Sequence, residues 1–133
     1  KQGKHAEALA LHEQFLKDHP GSLAVRFVIG LESFLVGNPT RAWEVFHPLS
    51  EYFPNNNAVL FNTALAGMET QHLIEAAKLL ETIAEREPTN YGVLYNLQEA
   101  YKRSRRDRAR ERVVHELERL FPQNDAVKKL RTG

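Results

Sequence analysis

Histidine is the residue type in this sequence that could do the most chemistry, but its spacing does not predict a metal centre. His5, His12 and His19 recur at intervals of seven residues, which places them on one face of a helix about 10 Å apart along its axis. That separation is too large for two of them to bind one metal ion. The HExxH spacing of zinc proteases is also absent. We therefore expect no bound metal.

Other signatures of catalysis are missing as well. The chain has no cysteine, which excludes disulfides and thiolate metal sites. It has no phosphate-binding glycine loop and no serine at a nucleophile elbow. Glu81, Glu85 and Glu87 have the spacing of exposed helix charges. We expect no enzyme activity and no cofactor, although the chain could be the recruiting arm of a larger enzyme.

Composition places the chain among soluble globular proteins. Apolar residues make up 42% and charged residues 26% of it, which are ordinary values. No apolar run approaches the roughly 18 residues that cross a bilayer, and no signal peptide is visible. Because the sequence starts at Lys1 rather than Met, we expect it to be an excised fragment. Cytoplasm and periplasm both fit this composition.

The elements that organise the chain are marked by a period of 34 residues. Four prolines recur at this spacing with similar flanks (DHPGS, YFPNN, REPTN and LFPQN), namely Pro20, Pro54, Pro88 and Pro122. Proline cannot continue a helix, so each one predicts a helix end. The polar residues just after them are suited to cap the next helix, and the predicted caps are Ser22, Asn56 or Asn57, and Asn90.

Between the prolines, the apolar residues have helical spacing that is broken once near the middle of each unit. This pattern predicts helical hairpins, and no segment has the period-two alternation of a strand. A hairpin of this size cannot bury its apolar stripe alone, so the repeats are expected to stack as a solenoid. The fold class is all-α. The predicted helices span 4–18, 23–36, 40–53, 57–70, 73–86, 91–104 and 108–121, with a short helix starting near Asp125.

These repeats resemble the tetratricopeptide repeat (TPR) family, whose pattern is W-x2-L-G-x2-Y, A-x3-F and P. The matching positions are Ile29-Gly30, Ala42, Phe46 and Pro54; Leu60, Thr63-Ala64, Gly67, Ala76, Leu80 and Pro88; and Tyr95-Asn96-Leu97 and Tyr101. The resemblance implies a right-handed superhelical solenoid of antiparallel helix hairpins that binds proteins. It divides a single domain into a half repeat (1–22), three full repeats (23–56, 57–90 and 91–124) and the start of a capping or further helix (125–133). In the half repeat, Lys1-Gln2-Gly3 resembles the family's inter-helix turn.

Small residues are expected where the two helices of a hairpin cross, because they let the backbones approach closely. The first two repeats place Gly30, Ala42, Ala64, Gly67 and Ala76 at such positions.

Two features depart from the family pattern. Pro48 lies inside the second helix of the first repeat, where it should kink or interrupt that helix. In the third repeat, Gln98 and Arg110 replace the expected glycine and alanine. We therefore expect loose packing or a shifted register there.

In this family the first helix of each hairpin lines a concave groove. The expected partner-binding residues are Phe27, Leu31, Phe34, Leu35, Phe61, Asn62, Leu65, Met68, Tyr95, Asn96 and Glu99. They grade from apolar at one end to charged at the other, which favours a groove for an amphipathic helix or apolar peptide. The alternative is that these aromatics pack on neighbouring repeats, or that another segment fills the groove. Leu31 and Leu65 disfavour a clamp for a C-terminal carboxylate.

A basic segment at 102–112 is the second candidate site. It holds seven Lys or Arg residues against two carboxylates, and its predicted contact residues are Lys102, Arg103, Arg105, Arg106 and Arg108. Such a cluster could recruit an acidic protein, nucleic acid or anionic lipid, or be a solvated turn. Nucleic acid is disfavoured because the cluster spans a turn, matches no nucleic-acid motif and has few aromatics. Exposed apolar faces at the two ends also predict self-association.

Overall fold

The computed structural model describes residues 2–132, and this part of the chain is α-helical without strands. The all-α prediction is therefore confirmed. The helices are α1 (Gln2–Asp18), α2 (Leu23–Leu35), α3 (Pro39–Tyr52), α4 (Asn57–Met68), α5 (Leu73–Arg86), α6 (Tyr91–Arg103), α7 (Asp107–Leu120) and α8 (Asp125–Lys128).

The 34-residue period reappears in the hydrogen bonds that start the helices. Four polar side chains each accept a bond from the backbone N–H three residues later, at 3.3, 3.1, 3.2 and 3.0 Å; these caps are Ser22, Asn56, Asn90 and Asn124. Of the two candidates for the second cap, the structure selects Asn56. Each such cap stabilises its helix by about 1 kcal/mol.

The turns inside the hairpins share the same period. The backbone adopts positive φ at Gly37 (84°), Gln71 (71°) and Arg105 (59°), a conformation that glycine adopts without strain. In each turn the next residue's N–H bonds the carbonyl five residues earlier, at 2.8, 2.9 and 2.8 Å; the donors are Asn38, His72 and Arg106. This bond is the one that defines a Schellman helix end. The helix caps and the positive-φ turns therefore recur with the same 34-residue period.

The chain divides into two compact units, residues 1–72 and 73–133, with the division in the turn between α4 and α5. In the first unit, α1, α2, α3 and α4 pack in sequence. Their core contains Ile29, Ala42, Val45, Phe46, Leu49, Val59 and Ala66. In the second unit, α6 packs on both α5 and α7, and Leu94, Leu117 and Val127 form the core cluster of its last three helices.

Close approach of helices explains two glycines. A Cβ at Gly30 would lie 2.5 Å from Phe46 Cε1 on α3, which confirms a hairpin crossing at this position. Gly67 differs from expectation. A Cβ there would lie 2.8 Å from Trp43 Cζ3, which belongs to the preceding hairpin. The Trp43 ring stacks on His72 at 4.0 Å, so Gly67 makes room for an aromatic stack.

Three local predictions were wrong. The interruption of α3 expected at Pro48 is absent, because the helix continues through this residue to Tyr52. Proline has no N–H to donate to the Glu44 carbonyl, one helical turn earlier. Both Pro48 and Glu44 are exposed, so water can bond that carbonyl instead. Helix α1 already includes Gly3, which the sequence had placed in a turn; Lys1 lies outside the described residues.

The third correction concerns α7, which keeps its register and begins at Asp107. Arg110 Nε donates to Gln98 Oε1 at 2.9 Å, and Arg110 Nη2 donates to the Leu130 carbonyl at 3.0 Å. Gln98 is fully buried. In the first two repeats, small residues let the helices approach closely at these positions. In the third repeat, the long Arg110 side chain fills the space and donates to Gln98.

Candidate functional site

The predicted binding face of α2 is partly buried against the core of the first unit. Phe27, Leu31 and Phe34 are partly buried and pack on that core, and Phe27 meets Phe46 edge-on at 5.6 Å. Leu35 is 55% exposed. These side chains therefore combine a packing role with remaining accessible surface.

On α4, the predicted residues differ in how much surface they offer. Phe61 and Leu65 are half-buried, whereas Met68 is only 7% exposed and presents almost no surface to a partner. Asn62 Nδ2 donates to the Ala58 carbonyl at 2.9 Å, so its amide is turned back onto its own helix. Asn96, 34 residues later, bonds the Gly92 carbonyl in the same way at 2.8 Å.

A cavity of 550 Å³ lies between α2, the end of α3 and the start of α4. We call it the apolar pocket. Its lining residues are Leu23, Ala24, Phe27, Val28, Leu49, Phe53, Asn56, Ala58 and Val59. The Asn56 oxygen is already engaged in capping α4, and no charged residue lines the cavity. This pocket can hold hydrocarbon, and it offers no group for acid–base chemistry or metal binding.

The sequence prediction included only Phe27 among the partner-binding residues that line this pocket. Leu23, Val28 and Phe53 were missed. Phe53 directly precedes Pro54, so it appears from the sequence as the end of a helix rather than as a wall of a cavity. A phenylalanine directly before two of the four repeat prolines, Phe53 and Phe121, is the signal that could have identified it.

A second cavity, of 330 Å³, lies within the second unit. We call it the cationic pocket. It is lined by Tyr95, Glu99, Lys102, Arg110, Ala126, Lys129 and Leu130. Two predicted groove residues, Tyr95 and Glu99, therefore lie together with Lys102, one residue of the predicted basic segment.

The remaining basic-segment residues have varied surroundings. Arg103 Nε lies 2.9 Å from Glu99 Oε2. Arg106 lies 3.9 Å from Glu81 and stacks over the Tyr101 ring at 4.7 Å. Arg105 and Arg108 are exposed. The segment is thus a mixture of paired and solvated charges rather than a continuous basic surface.

Tyr101 is the residue of this region whose titration is most altered. Burial raises the pKa of the Tyr101 hydroxyl to about 12, and its hydrogen bond to the Glu81 carboxylate adds to the rise. A phenol held protonated in this way is a structural donor that ties α6 to α5. Across residues 2–132, no three His, Asp or Glu side chains come together in a way that could hold a metal ion.

Comparison with solved structures shows the fold. The chain superposes on MamA AMB-1 with a TM-score of 0.82 at 23% identity, over 96% of this chain and 69% of the other. MamA MSR-1 gives 0.83 at 23% over 96% and 73%. MamA from Desulfovibrio magneticus RS-1 gives 0.83 at 17% over 96% and 72%. These are TPR-like helical-repeat solenoids. No protein of curated function matches the chain.

The family is decided by the sequence model of the coatomer epsilon subunit, which matches residues 34–133, three-quarters of the chain. The chain belongs to the coatomer epsilon subunit family. That family is also TPR-like, so the fold implied by the sequence resemblance is confirmed. Fold and family together are those of a protein-interaction scaffold.

The match to the coatomer epsilon family begins at Phe34, near the end of α2. It includes all of the cationic pocket and, of the apolar pocket, the residues on α3 and α4. In the described part of this family member, no helix has both the length and the apolar character needed to cross a membrane.

Proposed function

We propose that this coatomer epsilon family member is a non-catalytic scaffold whose apolar pocket receives a large apolar side chain from a partner helix or peptide. The observation that carries the proposal is the pocket itself, a cavity of 550 Å³ lined by eight apolar residues and one asparagine. Its volume lies within the range of about 300–1,000 Å³ that is usual for binding pockets. The family name supports the proposal, since it describes a subunit of an assembly.

The apolar lining favours an apolar side chain of the partner over a polar one. With no charged wall and the Asn56 oxygen engaged, the lining offers side-chain donors only from the Asn56 amide nitrogen, so a polar side chain would lose most of its hydrogen bonds to water without replacement. A Leu, Met or Phe side chain would gain about 1.5–3 kcal/mol on burial, which is typical of an interface hot spot. Helices α2 and α4, which line the pocket, also carry four partly buried groove residues: Leu31, Phe34, Phe61 and Leu65. We propose that these residues contact the parts of the partner on either side of the apolar side chain that enters the pocket.

Pocket filling tests this function. Ala58 lines the pocket and is exposed, so Ala58→Trp should occupy the cavity without disturbing the core. Ala10→Trp is the matched control, because Ala10 is exposed on α1 and is not part of the pocket lining. Each variant would replace the wild-type protein at the protein's own gene in its native organism. The proteins that bind it would then be quantified by mass spectrometry.

We expect Ala58→Trp to release at least one partner that wild type and Ala10→Trp retain. Because the contact is apolar, this partner should remain bound at about 1 M salt, where the screening length is only ~3 Å. Identical partner sets for both variants would overturn the proposal. A recruiting role for a larger enzyme would use the same pocket, and the enzyme would then be among the proteins released.

We also propose that 23–56, 57–90 and 91–124 are tetratricopeptide repeats of one domain, with a half repeat at 1–22 and a capping or further helix beginning in 125–133. The support is the recurrence every 34 residues of the helix caps and of the positive-φ turn.

A second candidate function is recruitment by the basic segment. Only some cations of this segment are available to a partner, because Arg103 and Arg106 already lie beside Glu99 and Glu81. Lys102 and Arg110 differ, since both line the cationic pocket. Any recruitment of an acidic partner is therefore best assigned to that pocket.

A further inference from the structure

The cationic pocket brings together positive side chains from three consecutive elements of the second unit. Lys102 is on α6, Arg110 is on α7, and Lys129 directly follows α8. Lys129 lies 27 residues from Lys102 and outside the basic segment. Only the fold makes it part of the same cluster.

The register of the repeats shows how unusual this cluster is. Two repeats earlier, the positions of Tyr95, Glu99, Lys102 and Lys129 are occupied by Phe27, Leu31, Phe34 and Phe61. Those earlier residues form an apolar, partly buried face of the first unit. The same positions of the repeat are therefore apolar in the first unit and polar or charged in the second.

The cations of this pocket are not neutralised within the described chain. Lys102 and Lys129 are exposed, and no ion pair with a carboxylate forms to them or to Arg110 among residues 2–132. Glu99, the only acidic residue in the lining, is paired with Arg103 at 2.9 Å. The pocket therefore carries an excess of positive charge.

Arg110 is held in place before any ligand arrives. Its Nε and Nη2 donate to Gln98 Oε1 at 2.9 Å and to the Leu130 carbonyl at 3.0 Å. Both acceptors are neutral, so the guanidinium charge persists. Nη1 keeps its donors free of partners in the part of the chain that the structure describes. A fixed guanidinium loses little entropy on binding an anion.

We propose that the cationic pocket binds a carboxylate side chain from an acidic segment of a protein partner, with Arg110 as the fixed donor and Lys102 and Lys129 as mobile cations at the rim. The volume of 330 Å³ is near the lower end for ligand pockets and fits a single acidic side chain with part of its backbone. This site is independent of the apolar pocket, since all its lining residues belong to the second unit.

The surrounding charges favour a protein carboxylate over nucleic acid. A nucleic-acid surface presents a track of unpaired cations that follows the phosphate backbone. In the second unit, some of the other arginines are paired with carboxylates. Arg131 bonds both Glu111 and Glu118 at 2.6–3.0 Å, and Arg119 bonds Glu116 at 2.6 Å. The three cations gathered in one small cavity, Lys102, Arg110 and Lys129, match one or two carboxylates.

The test uses a blocked hexaglutamate peptide as the probe, with blocked hexaglutamine and a single-stranded oligothymidylate as comparisons. Binding is followed by amide chemical shifts of the isotope-labelled full chain. The pocket variant is Lys102→Gln with Lys129→Gln. The matched control is Arg108→Gln with Lys128→Gln, which removes the same charge from exposed residues that do not line the pocket.

We expect hexaglutamate to shift the amides of Tyr95, Ala126 and Leu130. The pocket variant should weaken its binding roughly tenfold, as expected for losing charge-assisted contacts, whereas the control should weaken it less than twofold. Equal weakening by both variants would reduce the effect to diffuse attraction and overturn the proposal. So would absence of binding, or tighter binding of the oligothymidylate at the same amides. None of these results depends on the apolar pocket.

Discussion

The Arg110 guanidinium donates to the buried side chain of Gln98 across the contact between α6 and α7. The positions of these two residues are occupied by Gly30 and Ala42 in the first repeat, and by Ala64 and Ala76 in the second. One polar pair has thus replaced two small residues. The exchange is accommodated because Arg110 supplies the donor that the buried Gln98 oxygen needs; the Gln98 Nε2 group remains buried without a protein partner within residues 2–132.

The Gln98–Arg110 pair predicts strong coupling between the two positions. Arg110→Ala should lower the free energy of unfolding by about 1–3 kcal/mol, because it leaves the buried Gln98 oxygen without a donor. Gln98→Ala with Arg110→Ala restores the pair of the second repeat and should cost less than the sum of the single changes. Urea denaturation of the three variants measures this. Additive losses would show that the two side chains do not act together.

Gly30 predicts a packing limit in the first unit. Gly30→Ala puts a methyl group 2.5 Å from the ring of Phe46, which is fully buried, and should destabilise the protein by about 1–3 kcal/mol. Gly3→Ala is the control, since nothing lies within 4 Å of a Cβ there. Alanine should stabilise α1 at that position by up to about 1 kcal/mol. Thermal unfolding should therefore move in opposite directions for the two variants.

The sequence predicted the helices well because their boundaries are determined locally. Proline and the capping residues act on their own neighbours, and the observed ends fall within two residues of the expected ones. The burial of Met68 and the membership of Lys129 in the cationic pocket depend on how distant helices meet. Pro48 was misjudged for a related reason, because its effect on α3 depends on which way the ring faces.

An ion pair between α1 and α3 predicts a pH effect on stability. Arg41 donates to both oxygens of Glu13, at 2.7 and 2.9 Å, and this hydrogen bonding holds the pKa of the Glu13 carboxyl below its ordinary value of 4.5. A lowered folded-state pKa means that the stabilisation is complete above about pH 4.5 and is lost as the pH falls through the folded-state pKa.

The corresponding variant is Glu13→Gln. At pH 7 it should be less stable than wild type by about 0.2–1 kcal/mol, because both partners are partly exposed. The difference should shrink at pH 3. Glu7→Gln, an exposed change on the same helix, should show no such dependence. A wild-type advantage that persists undiminished at pH 3 would exclude the ion pair as its source.

The exposed face of α1 predicts self-association between two copies of the chain. Leu11 and Phe15 are 72% and 43% exposed, whereas their equivalents one repeat later, Val45 and Leu49, are buried. Sedimentation velocity should show the average mass rising with concentration, and Leu11→Gln with Phe15→Gln should abolish the rise. Ile74→Gln, which removes another exposed apolar side chain, should leave it unchanged. A wild-type chain that stays monomeric at all concentrations would refute this.

Photo-crosslinking at the apolar pocket tests the central claim most directly. A benzophenone amino acid would be placed in turn at Ala24 and Ala58, which line the pocket, and at Arg105 and Arg108 in the basic segment, in the chain expressed from its own gene. The scaffold proposal predicts that both pocket positions crosslink to the same partner, at or beside a large apolar residue. Crosslinks that form only from the basic segment, with none from Ala24 or Ala58, would contradict it.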